Sequence, residues 1–329
     1  MTVLVTGGAG YIGSHMVLAL RDAGRDVVVL DDLSTGFRDA VPGDVPLVEG
    51  SCGDAELLAD LLSERRIGSI IHFAGSIVVP DSVKDPLGYY LNNTVNSRAL
   101  IAAAVRAGVG NFIFSSTAAV YGEPPECPIA EESPLAPISP YGTSKLMTEL
   151  MLRDAANAHD IRFAALRYFN VAGADPDGRS GQSSVRATHL IKIAAQTALG
   201  LRGHLEVYGD DYPTPDGTCL RDYVHVSDLA QAHLLALGHL ERGGDSLTLN
   251  CGYGRGYSVR EVVEAVKRIS GVDFEVRNAP RRAGDPPALV ARADRIRAEL
   301  NWSPAYDDLD VIVTHALSWE NLLQRRAAA

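Results

Sequence analysis

From Thr2 to Tyr168 the chain alternates two hydrophobic patterns. Short β-branched runs at Thr2–Thr6, Asp26–Leu30, Ser69–Phe73 and Asn111–Ser115 set apolar residues back to back, as strands covered on both faces do. Between them, Tyr11–Ala23, Ala55–Arg65, Pro86–Ala107 and Tyr141–His159 repeat apolar residues at three- and four-residue spacing, which predicts amphipathic helices. Ile161–Tyr168 supplies another strand. Such alternation specifies right-handed strand–helix–strand crossovers, hence an α/β fold built on a doubly wound parallel sheet. Beyond Asn170 the pattern breaks into loops rich in Gly, Asp and Pro (ADPDGRSGQ, GDDYPTPDGT, APRRAGDPP). Long loops in a compact enzyme usually build binding surfaces. Residues 170–329 are therefore expected to form a smaller α/β substrate domain after a first domain over 1–169. The run CLRDYVHVSDLAQAHLLAL reads as strand, Ser227 as N-cap, then helix, and residues 218–245 are candidates to return to the first domain. The last residues, Gln324 to Ala329, are expected to fray.

Composition narrows the classes. A chain of 329 residues has room for two cores. A net charge of −11 argues against nucleic acid as a partner, while leaving room for local arginines that hold a small phosphorylated molecule. The four cysteines lie far apart with no Cys-x-x-Cys pair, so neither a metal site nor a disulfide framework is expected, and reduced thiols point to the cytoplasm. The opening MTVLVTGGAGYIGSH lacks the pattern of a signal peptide, and no apolar run reaches membrane-spanning length.

The first chemistry lies in Gly7-Gly8-Ala9-Gly10-Tyr11-Ile12-Gly13, between a strand and a helix. Glycines at 7, 10 and 13 permit a tight turn, close approach of backbone to a pyrophosphate, and contact between helix and sheet. Asp31 closes the second strand, where a carboxylate accepts hydrogen bonds from the adenosine ribose hydroxyls. Asp31 and Asp32 together repel a 2′-phosphate, so the expected cofactor is NAD rather than NADP, in a Rossmann-type domain. Tyr11 and Ile12 of the loop belong to the same expected site. The Gly-x-x-Gly-x-x-Gly spacing resembles the extended short-chain dehydrogenase/reductase superfamily.

Of twelve tyrosines, only Tyr141 has a lysine four residues on, Lys145. On a helix that spacing places both on one face. A cation there favours the phenolate, so the tyrosine can act as a base below its ordinary value of about 10. The pair follows a strand ending in Ser115-Ser116-Thr117, and Thr117 offers a hydroxyl to a reacting substrate oxygen. Short-chain enzymes use such a set for hydride transfer, with Lys145 also binding the nicotinamide ribose. Phe73, Ala74 and Gly75, ending the fourth strand, are expected beside the cofactor, as is Tyr168. Asn93 is expected to pin the neighbouring helix. His72 reads better as a satisfied core histidine.

The chain resembles the UDP-glucose 4-epimerases nearly end to end. The segments VLVTGGAGYIGSH, IIHFAGS, DPLGYYLNN, NFIFSSTAAVYGE, SPYGTSKLMTE, LRYFNVAGADPDG, VYGDDYPTPDGTCLRDYVHVSDLAQAH, LNCGYGRGYSV and PRRAGD carry the likeness. It implies a UDP-sugar held by the second half, with Asn170, Tyr208, Arg221, Arg282 and Asp285 lining the site and Leu289 gating access for N-acetylated sugars. The arginines are plausible forks for a diphosphate. A buried ion pair competes as the reading of Arg221, and a place in the second domain's core competes for Leu289. The family cycle oxidises the sugar at C4, turns the 4-ketopyranose over, and returns the hydride from bound NADH. It also implies a homodimer through Pro86–Ala107 and Tyr141–His159, whose apolar periodicity shows at Leu100, Ile101 and Val105 and at Leu146, Leu150 and Leu152. Three positions depart from the family. Ser51-Cys52 replace an aspartate and an apolar residue near the adenine, leaving open what holds it. Ile77 stands where some relatives place a lysine, and Thr117 where serine is usual.

Other readings remain. A nucleotide-sugar 4,6-dehydratase shares the first oxidation but needs an acid and a base where Ala118-Ala119 stand. UDP-xylose/UDP-arabinose and UDP-GlcNAc 4-epimerases are chemically nearer. A reductase with diffusible cofactor leaves the second-half likeness unexplained, and a non-catalytic NAD-binding protein leaves Tyr141 and Lys145 unexplained.

Overall fold

The computed structural model describes residues 1–184, 188–282 and 285–328. In the first half β1 (Thr2–Thr6), α1 (Tyr11–Asp22), β2 (Val27–Asp31), β3 (Leu47–Glu49), α2 (Ala55–Glu64) and β4 (Ile67–His72) come first. Then follow α3 (Val79–Lys84), α4 (Pro86–Tyr89), α5 (Asn96–Ala107), β5 (Asn111–Thr117), α6 (Pro140–Ala158) and β6 (Arg162–Tyr168). The second half contributes β7 (Asn170–Ala172), α7 (Leu190–Ala198), β8 (Leu205–Tyr208), β9 (Leu220–Arg221), β10 (Tyr223–His225), α8 (Val226–Glu241) and β11 (Leu247–Cys251). It ends with β12 (Tyr257–Ser258), α9 (Val259–Ser270), β13 (Val276–Ala279), β14 (Ala288–Leu289), α10 (Asp294–Leu300) and α11 (Leu309–Ala328).

Seven strands form one sheet in the order β11-β6-β5-β4-β1-β2-β3, every neighbouring pair parallel. The alternation of side chains along each strand builds two cores. Val3, Val5, Val29, Ile71 and Ile113 pack with Met16 and Leu20 of α1 and Leu229 and Ala236 of α8. Leu4, Val28, Leu30, Ile70 and Phe112 point the other way, against Leu58 of α2, Leu100 of α5 and Leu152 of α6. This is the doubly wound α/β architecture expected from the alternating patterns. The chain's return to this sheet runs to residue 251: α8 covers the sheet beside α1, and β11 forms its edge beside β6. The rest of the second half packs α7, α9 and α11 together and adds small sheets, β10-β7, β13-β8 and β12-β9-β14.

Local structure departs from the sequence reading at three places. Pro86–Ala107 is not one α-helix. A π-helical stretch, Tyr90–Val95, interrupts it, because Asn93 is drawn inward to bond Ser76 and Ser144. Ser227 is not the N-cap of α8. The chain turns helical at Val226, and His225 caps it by accepting the Ser227 N–H at 3.1 Å. Finally, Leu100, Ile101 and Leu152 are buried against the parent sheet. Of that stripe Leu150 is exposed, and Leu87, Leu91, Val95 and Met147 are exposed with it on the same segments. Among the described residues, no helix is long and apolar enough to cross a membrane.

Candidate active site

At the C-terminal ends of β1 and β4 a cleft of about 1640 Å³ opens and continues into the second half. A site for one small ligand runs to roughly 300–1,000 Å³, so this cleft has room for two nucleotides. Gly7, Gly10, Tyr11, Ile12, Gly13, Asp31, Asp32, Phe73, Ala74, Gly75 and Tyr168 line one arm. The loop needs its glycines for contact as well as conformation. Gly7 has φ +72°, and a side chain there would meet the Ala74 backbone nitrogen at 2.6 Å. A Cβ on Gly13 would lie 2.0 Å from the Gly7 carbonyl oxygen, so α1 could not pack so close. Asp31 accepts the Ala9 N–H through one carboxylate oxygen and the Leu33 N–H through the other, each at 2.9 Å. Each oxygen keeps capacity to accept a hydroxyl, which fits the residue to a ribose. Asp32 accepts bonds from the Ser34 N–H and hydroxyl. Ser51 and Cys52 line the same arm, with the Cys52 thiol pushed up to about 11 by burial.

Tyr141, Thr117, Ala118 and Ala119 line the cleft where its arms meet. Lys145 and Asn93 do not line it. Both sit one layer behind, 3% exposed, Lys145 donating to the Ser115 carbonyl at 2.9 Å and lying over the Phe114 ring. Burial dominates the electrostatics here. It pushes the Tyr141 phenol well above its ordinary value, against a smaller opposite pull from the Thr117 hydroxyl. Lys145, one turn along the same helix, has its ammonium engaged with the strand carbonyl. Lys145 itself is lowered to about 8 by burial, against attraction from Cys52 and Glu149. Tyr168 shares a hydrogen bond of 2.7 Å with Ser115. His72 is buried with Thr6 on Nδ1 at 2.6 Å and Ser97 on Nε2 at 2.8 Å, a satisfied core histidine.

Asn170, Tyr208, Arg221, Arg282, Asp285 and Leu289 line the second arm. The guanidinium of Arg282 lies 3.8 Å from the centre of the Tyr208 ring. Arg221 is held from behind by the Leu220 and Pro286 carbonyls and pairs with Asp285 at 3.3 Å, so the ion pair and the place in the cleft are both real. Register places Leu289 of β14 opposite Arg221 of β9. Leu289 is half-buried against Ala118, Val120, Ile129 and Phe169, with one side on the cleft. Ile77 stands at the rim, half exposed.

Sequence reasoning missed the ties between the two halves. The Tyr11 hydroxyl donates to the Gly173 carbonyl at 2.7 Å, and Ser14 and Ser180 share a bond of 2.6 Å. Nothing local announces such partners, more than 160 positions apart.

The buried lysine yields a prediction. Its folded pKa lies below its unfolded value, so the unfolded chain binds the extra proton between about pH 8 and 10.5. The cost of burying the ammonium is therefore full below pH 8 and is relieved as pH rises through that window. In protein stripped of nucleotide, wild type should gain stability relative to Lys145→Met from pH 7.5 to 10, by ~3 kcal/mol at most. Thermal melts at both pH values check the sign.

Residues 3–252 match the NAD dependent epimerase/dehydratase family. The UDP-glucose 4-epimerase of Azospirillum brasilense is 61% identical over 98% of this chain and 93% of its own. The crystal structure of UDP-glucose 4-epimerase from Brucella ovis in complex with NAD is 46% identical and superposes with a TM-score of 0.94, covering 96% of this chain and 97% of that one. The enzyme of Stenotrophomonas maltophila, with bound NAD and formylated UDP-arabinopyranose, is 40% identical with a TM-score of 0.95 over 99% of both chains. With likeness running the length of the chain and a cleft built on the same sheet, the chain belongs to the NAD dependent epimerase/dehydratase family.

Proposed function

We propose that this chain is an NAD-dependent isomerase that interconverts UDP-glucose and UDP-galactose at C4, with residues beyond 170 holding the nucleotide sugar. One observation carries the reading. Tyr141 and Thr117 stand where a single cleft passes from the Gly7 loop and Asp31 to Tyr208, Arg221 and Arg282. The relatives point to the same activity. When bound, NAD would supply the hydride acceptor for the chemistry at C4. Gly7, Gly10 and Gly13 leave space for its pyrophosphate, Asp31 takes the adenosine ribose, and Phe73, Ala74, Gly75 and Tyr168 flank the reacting end. Lys145 would reach the nicotinamide ribose from behind, while Asn93 ties the Ser76 loop to Ser144 of the same helix. Arg221 and Arg282 grip the diphosphate, beside Asn170 and Tyr208. Thr117 holds the sugar 4-oxygen while Tyr141 takes its proton. The sugar, having also given up its C4 hydride, is a 4-ketopyranose that turns about its link to the diphosphate and presents its other face, where C4 takes the hydride back and Tyr141 returns the proton. Ala118 and Ala119 bring no acid or base, which disfavours elimination of water. The four unpaired cysteines suit a reducing compartment, and we place the enzyme in the cytoplasm.

Purified protein should convert UDP-galactose without added cofactor and release NAD on denaturation. Tyr141→Phe should lose about 10²–10⁴-fold of kcat while keeping UDP-sugar affinity. A requirement for stoichiometric external cofactor would make the protein a reductase instead.

The sugar end of the cleft is narrowed by Leu289. Its branched apolar side chain offers an acetamido group no hydrogen bond, and burying that amide unpaired costs about 1–3 kcal/mol. N-acetylated UDP-sugars should therefore turn over at least about tenfold less efficiently than UDP-glucose and UDP-galactose. Leu289→Ser should narrow the difference. Equal kcat/KM for UDP-galactose and UDP-GalNAc in wild type would place the gate elsewhere.

The active form is a homodimer in this reading. Leu87, Leu91 and Val95, successive turns of one segment, are 77%, 59% and 51% exposed, and Met147 and Leu150 extend the patch onto α6. Two copies facing each other would cover it. Sedimentation at micromolar concentration should show a dimer, and Leu91→Glu should yield monomer. A wild-type monomer overturns the assignment.

A further inference from the structure

Two turns beyond Tyr141 and one beyond Lys145, on the same face of α6, stands Glu149, whose side chain is 6% exposed. Its carboxylate accepts a bond from the Ser116 hydroxyl, next to Thr117. It also receives the fork of Arg167, Nη2 at 2.7 Å and Nε at 3.0 Å. Arg167 precedes Tyr168 on β6 and continues to the Tyr121 hydroxyl at 2.9 Å and the Glu131 carbonyl at 3.2 Å. Tyr121, closing the turn after Thr117, donates to Asn250 of β11 at 2.7 Å. The polar chain thus fastens α6 to β5, β6 and β11. Ser116, Arg167 and Glu149 each lie one residue or one turn from Thr117, Tyr168 or Lys145. A buried ion pair contributes little net stability beside an apolar replacement, so its placement calls for another reason.

We propose that Glu149 is a positioning residue for the epimerase reaction. Through Ser116 and Arg167 it holds α6 in register, so that Tyr141 meets the sugar beside Thr117 while Lys145 stays seated on the Ser115 carbonyl. One turn away on the same helix, its negative charge also favours the Lys145 ammonium. The assignment rests on the activity proposed above. Lys145 is faced by the Ser115 carbonyl and Phe114 ring of β5, by His72 of β4, by Cys52 beyond β3, and by Glu149 of its own helix. Burial and Lys145 lower His72 to about 3, and burial raises Cys52 to about 11, so both are neutral at working pH. Glu149 is the carboxylate that acts on Lys145, in the direction of retaining its proton.

Glu149→Gln keeps an acceptor for Ser116 and removes the charge, whereas Ser116→Ala keeps the charge and removes the bond. The experiment follows Lys145 by ¹⁵N NMR against pH in NAD-loaded enzyme, with the pH profile of kcat alongside. Glu149→Gln should lower the Lys145 titration by about one pH unit or more. The alkaline limb of kcat should move with it, kcat should fall at least about tenfold, and KM should stay within about twofold. Ser116→Ala should leave the Lys145 titration in place. Should Glu149→Gln not fold, the double variant Glu149→Gln/Arg167→Met removes both buried charges along with the tie to β5 and β6, and must show the same fall in kcat at nearly unchanged KM. An unmoved titration in folded, NAD-bearing Glu149→Gln, or an undiminished kcat in the double variant, overturns the proposal. Absence of turnover in wild type would sink the epimerase reading, while the titration, read without substrate, still decides the Glu149 assignment.

Discussion

β1 and β4 lie side by side in the sheet, yet the chain leaves them on opposite faces, toward α1 from one and toward α5 from the other. No connection covers the C-terminal ends of that pair, and a crevice is left between them. The rest of the site depends on this divergence. The Gly7 loop turns out of β1 against Ala74, and a Cβ at either Gly7 or Gly13 would collide with backbone. Helix α1 can then begin directly over the crevice, where its unpaired N–H groups favour phosphate.

The chemistry sits at the far side of the crevice, in surroundings that oppose charge. Burial raises the Tyr141 phenol, lowers the Lys145 ammonium and keeps His72 neutral. A tyrosine meant to exchange protons thus begins far from its working state, and the groups around it must offset desolvation at the moment of reaction. The sheet brings these groups from separate elements: Thr117 from the end of β5, Tyr141 and Lys145 from α6, Tyr168 from the end of β6. Only α6 carries two of them, which makes its register against β5 and β6 the geometry that matters most. Glu149 and Arg167 act on that register.

The second half serves the sheet before it serves a ligand. Helix α8 and strand β11 complete the layers that the first half begins. Only then do the short sheets present a second arm: β9 and β14 set Arg221 opposite Leu289, and Tyr208 lies at the end of β8 with Arg282 across its ring. Tyr11 and Ser14, opening α1, reach across to Gly173 and Ser180, so one helix end touches both the phosphate loop and the second half.

What the sequence by itself determined were the features that repeat or act locally. Strand and helix periodicity specified a doubly wound sheet, because parallel strands buried on both faces leave continuous apolar runs. The glycine loop and Asp31 marked a dinucleotide site through backbone requirements that few other residues meet, and Tyr141 with Lys145 needed only helical spacing. Tertiary structure decided what depends on distant partners. It tied the Lys145 ammonium to the Ser115 carbonyl of β5. It broke the helix at Tyr90–Val95 to satisfy Asn93, buried Leu100 and Ile101 where periodicity alone could not say which side faced a neighbour, and moved a cap from Ser227 to His225. The Glu149–Arg167 pair joins residues on different elements, and its meaning lies in what stands next to each of them. Periodicity reports which face of an element is apolar, and it carries no information about which polar group waits across the fold.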